Sequence, residues 1–362
     1  MTSLSSQDRA AQIRASSLSA ISAFRRSAVH HPYVAGAIVT TAALAVSAFV
    51  NHRLAERAER TNPPLGRYVE VGGVWLHFVE HGAGEPLVLL HGNGSMVEDF
   101  ASSGLIDMAA ERFRVIAFDR PGHGHSTRPR DTVWTDVAQA DLIASALGQM
   151  GVSRALVLGH SWGCSVAIAL ALNHPELVSA LILASGYYYP SARADVVAAS
   201  GPAIPISGDI IRYAVSPWAA RALWPVLTRK IFGPARVPSK FDGFPKELTF
   251  RPSQIRASAA DSALMIPDAF ARQSRYHELR VPVAVVAGEQ DRLIDIDEQS
   301  GRLHAELPQS TLRRLPGMGH MIHQTATNEV MAAIDEVAAS VRAEASSMAP
   351  SADQKVPSKA AA

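Results

Sequence analysis

The sequence predicts an α/β domain: a mostly parallel sheet with helices on both faces, interrupted by an inserted helical cap and preceded by a transmembrane helix. Three observations carry this. Short, continuous apolar runs alternate with helix-length patterns from about residue 66 to 345, one long interval among them is proline-rich without a clean strand, and a 19-residue stretch near the N-terminus carries no charge. Strands that are apolar throughout, rather than alternating, belong to parallel sheets covered on both sides.

Residues 1–31 form a Ser/Ala-rich lead-in with Arg9, Arg14, Arg25 and Arg26 against a single acid, Asp8. The uncharged stretch follows at residues 32–50. As a helix it would be about 28 Å long, close to the ~30 Å hydrocarbon core of a bilayer. An uncleaved, single-pass anchor is expected, because the lead-in is too long for an ordinary signal peptide; a cleaved one would be processed near Val46-Ser47-Ala48. Arg25 and Arg26 before the span balance Arg53, Arg57 and Arg60 after it, so charge assigns no orientation. Residues 51–65 read as a charged stalk closed by Pro63-Pro64, and residues 346–362 as a disordered tail of small and polar residues.

Within the body, Arg67–Val71 and Val74–His81 flank Gly72-Gly73 and form a hairpin pattern. Buried-strand runs follow at Pro86–Leu90, Phe113–Phe118, Ala155–Leu158, Val178–Ala184, Val281–Ala287 and Thr311–Leu315. Helical patterns are clearest at Thr135–Met150, Trp162–Asn173, Asp295–Glu306 and Thr325–Ala343. The interval from about 186 to 278 breaks the alternation, with ten prolines together with Trp218, Trp224 and Tyr187 to Tyr189. A structureless loop of that length is improbable in a compact domain, so a helical cap is expected there.

Composition limits the function. The 362 residues hold 34 Lys and Arg against 33 Asp and Glu, a net charge of +1, which offers no global field for a nucleic-acid partner. The single cysteine, Cys164, excludes an intramolecular disulfide and a Cys-based zinc site.

The chemistry is concentrated in Gly159-His160-Ser161-Trp162-Gly163, a G-x-S-x-G pentapeptide between an apolar strand and an Ala-rich helix. So tight a strand-to-helix turn requires small neighbours, supplied by the two glycines, and it presents the Ser161 hydroxyl above the sheet with a helix N-terminus behind it. A serine needs a base and an orienting acid to become a nucleophile.

In these features the chain resembles the α/β-hydrolase fold superfamily, in its cap-bearing serine hydrolase branch, over residues 66–345. The resemblance implies an eight-stranded sheet and a triad in the order Ser, acid, His. Asp291, in Gly288-Glu289-Gln290-Asp291-Arg292, looks like the family's acid turn, and His320, in Pro316-Gly317-Met318-Gly319-His320, like its histidine loop. The spacings of 130 and 29 residues leave room for the cap and for one helix and strand. Asp295, Asp297 and His323 are rivals for these roles, and Glu289 is expected to face solvent. Leu90-His91-Gly92-Asn93-Gly94 resembles the oxyanion loop, which implies the amides of Asn93 and Trp162 as donors; the Asn93 side chain could add to them or stabilise the turn. Asp119-Arg120-Pro121-Gly122-His123-Gly124-His125-Ser126 resembles a structural loop of the cap-bearing branch, and a metal site at His123 and His125 is not expected. Epoxide hydrolases and haloalkane dehalogenases place Asp where Ser161 stands. Cys164 reads as a small buried residue, Trp162 as core or pocket wall, and Tyr187, Trp218 and Trp224 as substrate-lining. The expected activity is hydrolysis of a small, apolar ester or thioester through an acyl-enzyme, with no cofactor implied. A perhydrolase or C–C hydrolase would use the same triad, and a non-catalytic ligand-binding protein would keep only the fold.

Overall fold

The computed structural model describes Arg14 and residues 31–348; the expectations for the rest of the lead-in and for the tail beyond 348 lie outside the described residues. Eight strands form one sheet: β1 (Arg67–Val71), β2 (Val74–His81), β3 (Glu85–Leu90), β4 (Phe113–Phe118), β5 (Ala155–His160), β6 (Val178–Ala184), β7 (Val283–Gly288) and β8 (Ser310–Leu315). Their spatial order is β1-β2-β4-β3-β5-β6-β7-β8. The β1–β2 and β2–β4 pairs are antiparallel, and all the others are parallel.

The continuous apolar runs are explained by two-sided burial. Every residue of β5 and β6 is buried. Neighbouring side chains nevertheless part by strand alternation: Val88 and Leu90 join the core on one face, Leu87 and Leu89 the core on the other. Helices are numbered in chain order: α1 (Pro32–Thr61), α2 (Val97–Ser103), α3 (Leu105–Ala110), α4 (Asp136–Gln149), α5 (Trp162–Asn173), α6 (Ala194–Ala199), α7 (Ser207–Ala214), α8 (Ser216–Phe232), α9 (Lys246–Thr249), α10 (Pro252–Arg272), α11 (Arg302–Glu306), α12 (Ile322–Thr325) and α13 (Thr327–Met348). The first face is covered by α4 and α5, the second by α2, α3 and α13. Thr135 caps α4, its Oγ1 accepting from Ala138 N at 3.1 Å. α13 inserts Val330, Met331, Ile334, Val337 and Ala338, the spacing of one helical face.

Between β6 and β7 the described chain is helical, with α6 to α10 forming the cap. The N-terminal apolar stretch and the charged segment after it form one helix. α1 runs unbroken for 30 residues, because residues 51–61 are good helix formers and the first breaker after the span is Pro63. Its second half is docked on the cap: Ser47 Oγ donates to Ala214 O at 2.6 Å, Asn51 Nδ2 to Tyr213 O at 2.9 Å, and Arg251 pairs with Glu59 at 2.9 Å.

The seam between cap and body holds a carboxyl with a displaced titration. Asp268 on α10 accepts from the Asp136 amide at 3.0 Å, and burial, reinforced by the Asp261 carboxylate, pushes it up to about 7. A folded-state pKa raised above the unfolded value of about 4 contributes stability at low pH that is lost as pH climbs from about 4 through 7. Asp268→Asn keeps the acceptor and is therefore expected to raise stability more at pH 8 than at pH 5, by about 1–2 kcal/mol after allowing for screening. Thermal melts at the two pH values test this, and an equal gain at both would contradict it.

Candidate active site

Ser161 sits between β5 and α5 with φ 53° and ψ −119°, a conformation that costs a non-glycine residue about 1–3 kcal/mol. Surrounding groups enforce it. The Ser161 amide donates to Ala184 O at 2.9 Å, and a Cβ at Gly159 or Gly163 would collide with the Gly163 or the Leu90 carbonyl oxygen.

His320 lies in the loop after β8, and its Nδ1 is 2.7 Å from Asp291 Oδ2. Asp291 follows β7, and its other oxygen accepts from the amides of Leu293 and Ile294 at 2.8 and 3.2 Å, so both oxygens are aimed. The rivals are engaged elsewhere. Asp295 accepts from Asp297 N and Glu298 N, both at 2.9 Å, Asp297 pairs with Arg314, and Glu289 is exposed. His323 is buried against Asp99, with Nε2 3.0 Å from Oδ1.

Ser161 and His320 share a cavity of about 310 Å³ with Gly92, Asn93, Tyr187 and Trp224. Trp218 does not line it, contrary to expectation. Its indole donates to Ser47 Oγ on α1 at 2.9 Å and the residue is 45% exposed, because the docked helix recruits this face of α8. Trp162 is fully buried beside Tyr187 and Met265, a core residue. Neither the Asn93 nor the Trp162 amide has an acceptor among the described residues, which leaves two N–H groups beside the elbow. The Asn93 side chain reaches across to the cap, Nδ2 donating to Ser258 O and Ser262 Oγ at 3.1 and 2.9 Å.

The arginine that holds the loop after β3 was not singled out from sequence. Arg120 is fully buried; Nε donates to His91 O at 2.8 Å, Nη2 to Gly92 O at 3.0 Å, and Nη1 to Gln139 Oε1 and Asp261 Oδ2, each at 2.8 Å. One planar fork thus fastens the loop to the cap helix α10. Its only signal was the position between Asp119 and Pro121. Burial, then the Arg120 charge, push His91 down to about 4. The neutral ring fits its contacts, Nδ1 donating to Gly92 O at 2.8 Å and Nε2 accepting from Arg120 N at 2.9 Å.

Behind the histidine loop, His160 Nε2 donates to His320 O at 3.1 Å, and burial followed by His323 and His320 hold His160 well below its usual value. Ligand atoms of Asp99, His160 and His323 lie within 4.8 Å of one another. Asp99 is already held by Ser95 Oγ at 2.8 Å and by Gln324 Nε2 at 2.9 Å, with His323 Nε2 3.0 Å away, so both of its oxygens are engaged. Burial alone would raise Asp99, but the His323 charge and hydrogen bond outweigh it and hold the carboxylate ionised. His123 and His125 do not converge, one packing on His91 and the other on His77. Burial pushes the Cys164 thiol up to about 12, which leaves it inert at neutral pH.

The chain belongs to the alpha/beta hydrolase fold family, which residues 85–327 match. Over 137 residues it is 34% identical to the 2-hydroxymuconate semialdehyde hydrolase of Pseudomonas sp. (strain CF600), covering 37% of this chain and 48% of that enzyme, so it spans about half of that relative. It is 26% identical over 274 residues to haloalkane dehalogenase 2 of Mycobacterium bovis, covering 72% of this chain and 90% of the relative. Among solved structures, a bacterial membrane phospholipase A matches with a TM-score of 0.60 at 20% identity, covering 89% of this chain and 99% of that one. A thermophilic esterase from Thermogutta terrifontis matches at 0.61 and 22% identity, covering 76% and 97%. At these identities the structural matches establish the fold.

Proposed function

We propose that the protein is a membrane-anchored serine hydrolase that cleaves lipophilic esters or thioesters with Ser161 as nucleophile, His320 as base and Asp291 as its orienting acid. The observation that carries this reading is a strained serine in one cavity with a histidine whose Nδ1 is held at 2.7 Å by an aimed carboxylate. His320 Nε2 takes the Ser161 proton as Oγ attacks the acyl carbon, and the amides of Asn93 and Trp162 receive the developing oxyanion. Collapse breaks the bond to the alcohol or thiol, which leaves with the proton from His320. Water, deprotonated by the same imidazole, then attacks the acyl-enzyme and frees Ser161.

The apolar substrate class is supported by the wall of the cavity, where Val196, Leu227, Ile231, Met265 and Ile294 face the serine. Apposition to a bilayer is supported by α1, long and apolar enough to cross one, and by apolar side chains on the cap beside it, with Ile206 80%, Val226 60% and Ile210 53% exposed. For p-nitrophenyl esters, kcat/KM is expected to rise by at least about tenfold from acetate to octanoate, at roughly 0.8 kcal/mol per buried methylene for part of the chain. A strict preference for acetate would sink the lipophilic reading while leaving the triad standing.

A further inference from the structure

A second cavity, of about 550 Å³, opens away from the serine, where α1, the loop after β4 and the cap meet. Five arginines line it: Arg128, Arg130, Arg212, Arg251 and Arg256. The carboxylates that face them do not balance them. Glu59 pairs with Arg251 at 2.9 Å, and Asp209 pairs with Arg212 and lies 3.7 Å from Arg130. Asp261 is 2.8 Å from Arg128 but also 2.8 Å from Arg120, so it is divided between two cations. Arg256 has no ion pair among the described residues, and burial, then Arg130, Arg212 and Arg128, press its pKa down, the sign of uncompensated positive charge.

A further feature points to an anion. α10, 21 residues long, starts at this cavity with Ser253 in its wall and carries no acid in its own first turn to offset its positive end. Five guanidiniums offer more donors than a single carboxylate can accept, and the terminal oxygens of a phosphate group can accept from several of them at once; the volume leaves room for a substituent on it.

We infer that this cavity is a binding site for a phosphate group, held by Arg130, Arg256 and the N-terminal turn of α10, and distinct from the site of hydrolysis. Its wall on α1 places it beside the helix proposed as the anchor, so the phosphate can come from an anionic lipid headgroup or from a soluble compound.

The test uses the full chain, purified in detergent or in nanodiscs, and reads its melting temperature with two probes. One arm compares inorganic phosphate with chloride at equal ionic strength, the other phosphatidylglycerol with phosphatidylcholine nanodiscs. A rise of about 2–4 °C is expected with at least one probe. Response to phosphatidylglycerol alone assigns a lipid source, and response to inorganic phosphate alone or to both assigns a site open to soluble phosphate. The shift should vanish in Arg130→Gln/Arg256→Gln and persist in part in Arg256→Lys, while hydrolysis of a short soluble ester stays at the wild-type rate. No shift with either probe, or an equal shift in the double glutamine variant, overturns the assignment. Because the readout is binding, its failure is separate from any failure of the proposed triad.

Discussion

Ser161→Ala is expected to lower kcat by about 10⁴–10⁶-fold and to abolish labelling by a fluorophosphonate probe, with the fold intact. The hydroxyl makes no hydrogen bond among the described residues, and alanine meets the same backbone demand at φ 53° as serine, so a melting temperature within about 1 °C of wild type should accompany the loss. His320→Ala should do comparable damage, because the serine is a poor nucleophile without its base. Asp291→Asn should cost about 10⁴-fold, since an amide cannot hold the imidazole in the tautomer that receives the proton at Nε2. The three losses should not add, because each variant disables the same unit. Wild type that stays folded but unlabelled would remove the enzyme mechanism and leave a ligand-binding protein; labelling that survives Ser161→Ala would place the nucleophile elsewhere.

The parts of the site that were legible in the sequence are those whose geometry is local. Gly159 to Gly163 is a turn between one strand and one helix, and its steric demand can be stated from five residues. Asp291 and His320 each follow a strand in a turn that resembles a family pattern, and that resemblance singled them out; their side chains lie 2.7 Å apart. What stayed hidden depends on which distant elements pack. Trp218 looked like a pocket residue because it is aromatic and on the cap; that it faces α1 follows only from the docking of a helix 171 residues away. The docking was itself unreadable, because the bonds from Ser47 and Asn51 run to backbone carbonyls of Ala214 and Tyr213, which carry no sequence signal, and the Arg251–Glu59 pair joins residues 192 positions apart. Asn93 was singled out for its amide, while the use of its side chain, tethering the loop to α10, is again a long-range contact.

Arg120 is the largest such case, and its replacement should separate positioning from stability. Arg120→Met would strand the Gln139 oxygen and the His91 carbonyl, leave Gly92 O to the His91 ring and the Ser95 amide, and remove one of the two guanidiniums holding Asp261, whose pKa is kept at about 2 by Arg128 and Arg120 against the opposing pull of burial. Breaking a buried pair from one side costs about 3–5 kcal/mol, read as a lower denaturant midpoint. The fork also fixes Gly92 O, in the same peptide group as the Asn93 amide, and the His91 carbonyl before it, so losing it should let that amide drift and reduce kcat by at least about tenfold, with little change in KM. Arg120→Lys supplies charge without the planar fork and should recover part of the stability but less of kcat. Arg120→Met/Asp261→Leu decides the matter. Replacing both partners with apolar groups removes the orphaned acid but leaves the Arg128 guanidinium, 2.8 Å from Asp261 Oδ1, without its carboxylate, so part of the stability should return, yet nothing in that pair would hold the loop. Recovery of stability without kcat marks Arg120 as a positioning residue for the oxyanion loop, whereas recovery of both would reduce it to a structural ion pair.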